Sequence, residues 1–270
     1  MQEPILSLSI TTILKKHKNM FKFFKNLKSP IKVKCYTIIA GGLHKAYPPQ
    51  VSSQPSWAKQ IKSFSVIETA RELLKPERDR RATRTIKTCP GRVELYQKGF
   101  ILPLWSDLYL YLDGEKNWKY QFADMKSTIS NHTHSQYSTL FDEDEYLHLK
   151  LDSPWVMYTE EDVDFVAIKP AWEVKPLDGL EILPGILTFH HQHSNNVNMF
   201  IKFPEKKEEK REIILRAGTP IYHFIPLSDR KVELEVKAVS HTDPEFIDAF
   251  RTANHSFSRN SYRHHIKVDK

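Results

Sequence analysis

The chain has 270 residues, of which 40% are hydrophobic and 27% charged, and its formal net charge is +7. That length supports a real hydrophobic core without a disulfide or metal staple. Its two cysteines, Cys35 and Cys89, are too few for a secreted disulfide scaffold and lack the CxxC spacing of a cysteine zinc site. Both are expected to be reduced, buried thiols. Only 8 glycines stand against 16 prolines, which predicts rigid turns in place of flexible linkers.

Residues 1–30 read as a basic leader. Its apolar stretch, Ile5 to Leu14, precedes its lysines, whereas a secretory signal puts charge first, and the stretch is too short to span a bilayer. The leader is expected to be disordered, or an amphipathic helix with Met20, Phe21, Phe24 and Leu27 on one side and Lys22 and Lys25 nearby. Residues 31–270 are read as a single β-rich domain with a C-terminal helix and a basic tail.

IKVKCYTII, residues 31–39, alternates and is β-branched, which predicts a strand. A Gly- and Pro-punctuated loop follows. SVIETARELLKPE, residues 65–77, predicts a helix ending near Pro76, and CPGRVELYQKGF, residues 89–100, a short helix with Pro90 in its first turn and Gly99 as its stop. Short aromatic and β-branched runs then dominate: 100–105, 107–113, 117–124, 145–152, 154–159, 163–170, 185–193, 198–204, 211–218, 220–227 and 231–239. Strands so closely spaced, with few helices between them, predict a mainly β fold, an antiparallel β-sandwich of jelly-roll type with a few short helices in the N-terminal third. Residues 243–257 predict one closing helix, with Asp243 as N-cap, Pro244 at the first helical position and Glu245 in the first turn.

Three constellations invite a chemical reading. Within TFHHQH, alternation along a strand would put His191 and His193 on one face and His190 on the other. Cupin-type barrels hold two metal ligands with such an HxH pair, and His223 in GTPIYH stands where a third could come from. The three imidazoles would bind a divalent transition metal, for example ferrous iron. Against this, Val197 and Asn198 occupy the place of the cupin glutamate, and Ile221 and Tyr222 stand where a second glycine is wanted. Without that site no cofactor is expected. Secondly, Trp105 and Asp107 in PLWSD, with Trp155, could line a carbohydrate or small-ligand pocket, or be core and edge residues of a sandwich. Thirdly, the basic segment at 71–87, with Arg78, Arg80, Arg81 and Arg84, could contact nucleic acid, or could be a solvated loop. HTD at 241–243 looks like an iron-oxygenase pair, but a cap at Asp243 accounts for it better.

A set of short motifs carries a resemblance. They are Tyr-Pro-Pro at 47–49 followed by Trp57, IKTCPG at 86–91, GFILPLWSD at 99–107, KLDSPW at 150–155, Pro-Gly-Ile at 184–186, and AGTPI with IPL between 217 and 227. Their order and spacing resemble a family of proteins encoded by tailed phages of marine bacteria, with some bacterial members, over roughly residues 31–230. That family has no assigned activity, so the resemblance implies a phage setting and no catalytic residue. The histidine cluster is not part of the pattern. The leading expectation is therefore a non-enzymatic β-sandwich protein that acts by binding, as a minor virion component or by contacting a host protein. It would reside in the host cytoplasm or the virion, with no signal peptide and no transmembrane segment. A cupin-like metalloenzyme and a nucleic-acid-binding protein are the alternatives.

Overall fold

The structure is a computed structural model, and it describes residues 29–39, 47–67, 70–124, 129–131, 135, 137, 140–172, 177, 179–190 and 194–248. Of the 1–30 leader all but residues 29 and 30, the closing helix beyond residue 248, and the basic tail lie outside the described residues. The strands are β1 (Ile31–Thr37), β2 (Gln50–Val51), β3 (Phe64–Val66), β4 (Ala82–Arg84), β5 (Phe100–Pro103), β6 (Leu108–Asp113), β7 (Trp118–Phe122), β8 (Ile129–Ser130), β9 (Tyr146–Tyr158), β10 (Asp164–Ile168), β11 (Leu180–Ile182), β12 (Gly185–Thr188), β13 (Ser194–Lys202), β14 (Lys210–Leu215), β15 (Pro220–Pro226) and β16 (Val232–Ala238). Helix α1 spans Ala70–Leu73 and α2 spans Pro90–Gln97. A third helix, α3, occupies 244–248 at the end of the described chain.

The fold is mainly β. One sheet runs β11-β13-β9-β1-β16 with β8 beside β9, a second runs β12-β10-β15-β5-β2, a third is β14-β6-β7, and β3 with β4 makes a separate ribbon. Among the described pairs all ladders are antiparallel except β1 with β16, which is parallel. The inward residues of the three larger sheets share one core, in which Cys35, Leu149, Leu151 and Met199 meet Phe100, Phe165 and Phe224 as well as Leu108, Leu110 and Leu112. Phe100 sits at the aromatic centre, its ring 5.9 Å from Phe165, 5.8 Å from Phe189 and 5.0 Å from Phe224. Period-2 alternation produces this: Leu108, Leu110 and Leu112 face in, so Tyr109 and Tyr111 must face out.

Several expectations need correction. The 65–77 stretch is not one helix. Phe64, Ser65 and Val66 pair with Arg84, Thr83 and Ala82, because aromatic and β-branched residues with an available partner strand favour extension, and among the described residues Ala70–Leu73 is the helical part before Pro76. The runs at 145–152 and 154–159 are one strand. Pro154 is tolerated inside it because the ladder with β13 shifts there: Asp152 faces Asn196, but Val156 faces Ser194. In the run at 185–193 the strand β12 ends at Thr188, and residues 191–193 lie outside the described residues. Phe189 then drops into the aromatic centre, its carbonyl accepting the Thr159 N–H at 3.2 Å, and the chain turns from the second sheet toward the first. Cys35 is buried as expected, which pushes its thiol pKa up, but Cys89 is exposed, since it is the residue that opens α2. The closing helix begins as read. The Asp243 carboxylate accepts the Phe246 N–H at 3.0 Å, and Glu245 reaches back to β1, accepting from Tyr36 Oη at 2.7 Å and Lys34 Nζ at 3.2 Å.

Candidate functional site

The third sheet offers its outer face to solvent. Register fixes what that face carries. Ile214, Tyr109 and Gln121 form one row across β14, β6 and β7, and Glu212, Tyr111 and Lys119 form the next. Rows on one face are about 7 Å apart and neighbouring strands about 4.8 Å apart. These six side chains border a shallow groove of about 420 Å³. Tyr109 is 38% exposed and Ile214 48% exposed, large values for rings and branched chains on a sheet.

The lower end of the groove is organised by Asp107. Its Oδ1 accepts the Ala217 N–H at 2.7 Å and its Oδ2 accepts Arg216 Nη1 at 2.6 Å. Those two donors favour the ionised carboxylate and hold its pKa below the usual range, the Ala217 N–H contributing most. Arg216 Nη1 also donates to Tyr109 Oη at 3.3 Å. A carboxylate therefore orients a guanidinium, which orients an exposed ring. The turn beneath is built from residues far apart in sequence. Gly218 N–H donates to Leu104 O at 2.7 Å and Leu104 N–H to Thr219 O at 2.8 Å. Gly218 has φ +85°, and a Cβ there would stand 2.8 Å from Cε1 of Tyr47. Three of the motifs that carry the family resemblance, at 47–49, 99–107 and 217–221, thus meet at one corner.

The proposed pocket of Trp105, Asp107 and Trp155 does not form as read. Trp105 and Trp155 are both 0% exposed core residues, so neither ring offers a face to a ligand, and only Asp107 belongs to an accessible surface. The aromatic surface is supplied by Tyr109 and Tyr111 instead. Sequence reasoning passed over them, although the strict Leu-x-Leu-x-Leu alternation of 108–112 already turned them outward.

His223 faces away from the core, against the outer layer formed by α2 and the loops beside it. It is fully buried, its ring centroid 4.8 Å from that of Trp172. Its Nε2 lies 2.6 Å from the Lys98 carbonyl, so that nitrogen carries the proton, while Nδ1 has no hydrogen-bond partner among the described residues. Burial lowers its pKa. His191 and His193 lie outside the described residues. His190 has its Nδ1 3.1 Å from the Thr159 carbonyl. Strand β12 itself ends at Thr188. Among the described residues no three His, Cys, Asp or Glu side chains are grouped to hold a metal.

The arginines of 71–87 fall on different elements. Arg80 Nε donates to Lys75 O at 3.1 Å, and Arg81 lies 3.8 Å from the buried carboxylate of Glu72. Arg84 sits on β4 across from Phe64. Arg78 lies in a short 3-10 turn, Glu77–Asp79. No helix among the described residues is long and apolar enough to cross a membrane. No protein-family model matches this chain, and no curated protein matches it.

Proposed function

We propose that this protein acts by binding, with the tyrosine face of the third sheet as its contact surface and a saccharide chain as its ligand. The observation that carries the reading is the pair of rows Ile214–Tyr109–Gln121 and Glu212–Tyr111–Lys119 around one open groove. Sugar rings present C–H faces that stack on exposed aromatic rings, and hydroxyls that pair with amide and charged side chains. Gln121, Glu212 and Lys119 supply those polar partners beside the two tyrosines. The Asp107–Arg216–Tyr109 chain pre-sets one ring, which reduces the ordering cost of binding.

The setting we propose is the one the motif resemblance implies: a phage-encoded, non-enzymatic protein, either a minor virion component or a protein that contacts a host factor. Support comes from the three resemblance motifs that build the base of this face. Two experiments test the reading. Mass spectrometry of purified virions would detect the chain if it is a virion component, and its absence removes that half of the proposal. Retention of the purified protein on a printed oligosaccharide array, lost in Tyr109→Ala, is the expected ligand result. No retention by the wild type on any glycan contradicts the saccharide assignment.

A further inference from the structure

The described residues of 61–88, which are 61–67 and 70–88, form an arm whose construction is inverted. Its two-stranded ribbon, β3 with β4, is exposed at every position. What holds the arm together is polar. The Glu72 carboxylate, only 6% exposed, accepts from Lys75 Nζ at 2.7 Å and from the Arg81 N–H at 2.9 Å. Arg80 donates to backbone carbonyls of the same arm, and Thr88 Oγ1 donates to Ser63 O at 3.1 Å. Its large apolar side chains point to solvent instead: Phe64, Val66, Leu73 and Ile86, and above all Leu74, which is 88% exposed. Apolar side chains exposed in such number on one short arm suit a partner surface.

The charges indicate which kind. Residues 61–88 contain eight Lys or Arg and four Asp or Glu, a net charge of +4. Cations and apolar groups are interleaved. Phe64 and Val66 lie on the same ribbon face as Arg84, since Phe64 is paired with Arg84 and Val66 with Ala82. Leu73 and Leu74 stand between Arg71 and Lys75. A nucleic-acid backbone would use the arginines and leave the leucines and Phe64 without a role. A lipid headgroup layer uses both, taking cations at the phosphates and apolar side chains just below them.

We propose that this arm docks on an anionic lipid surface, inserting Phe64 and Leu74 between headgroups while Arg71 and Arg84 contact phosphates. The proposal does not depend on the saccharide reading, because the arm and the tyrosine face share no residue.

The test is flotation of the full chain with phosphatidylcholine vesicles, with and without phosphatidylserine, at low and high salt. The expected result is binding that requires phosphatidylserine, weakens with salt, and falls at least about tenfold in Phe64→Ser Leu74→Ser. Both positions are solvent-exposed, so the variant is expected to keep the wild-type melting curve, which is recorded alongside. Absence of vesicle binding overturns the proposal. So does binding that the double variant retains in full, since the leader or tail would then carry it. Salt-sensitive retention on double-stranded DNA without vesicle binding would assign the arm to nucleic acid instead.

Discussion

His223→Phe probes the outer layer through its pH dependence. The ring is fully buried, donates Nε2–H to Lys98 O at 2.6 Å, and packs on Trp172. Phenylalanine keeps most of the volume and removes that donor, leaving the part-buried Lys98 carbonyl without it, while also removing the unpartnered Nδ1. Near pH 7.5 the net cost is about 1 kcal/mol, the size of one neutral hydrogen bond. Burial lowers the folded-state pKa of His223, whereas in the unfolded chain it titrates near 6.5. Below that value the unfolded state binds a proton that the native state refuses. Wild-type stability from this group is therefore complete above about pH 6.5 and declines as pH falls, by up to about 1.4 kcal/mol per pH unit, until the native ring protonates too. The variant lacks this term, and the other histidines cancel in the comparison. Urea unfolding of both proteins at pH 7.5 and 5.5 measures it. The expected outcome is a gap that shrinks or inverts at pH 5.5. An equal gap at both pH values refutes the argument.

Three further outcomes are expected. Gly218→Ala should cost about 1–2 kcal/mol, because L residues pay for φ near +85° and the new methyl group must displace the half-exposed ring of Tyr47; Gly185→Ala, with nothing within 4 Å of the added carbon, serves as the nearly neutral control in thermal melts. Trp105→Ala should lose about 3–5 kcal/mol in denaturant titration, but Trp105→Phe much less, since the buried indole N–H has no partner among the described residues to lose. Arg230→Gln should cost about 1–2 kcal/mol. Its guanidinium binds both oxygens of Glu161 and also the Ser29 and Pro30 carbonyls, and the figure is discounted because Glu161 is partly solvated.

Much of the fold was legible because period-2 alternation is a local signal. Leu108, Leu110 and Leu112 face the core as the pattern required, and Asp243 caps its helix. Elements that depend on distant partners were less legible. Ser65 and Val66 looked helical until Ala82–Arg84 was there to pair with them. Phe189 read as strand because nothing local shows that it would leave the sheet for the Phe100 cluster. Leu180–Ile182 is too short to give a pattern at all and exists through β13. The same limit governed the site. Asp107 was singled out beside the wrong rings, since Trp105 is adjacent in sequence but directed into the core. Arg216, which links Asp107 to Tyr109, is more than a hundred residues away, and no spacing announces it.

The most direct test of the binding account is hydrogen exchange of the amides with and without an oligosaccharide selected from the array. Protection confined to 108–122 and 210–217, and abolished in Tyr109→Ala Tyr111→Ala, is the expected footprint. Protection elsewhere in the chain, or a footprint that survives the double substitution, would show that the tyrosine face is not the contact surface.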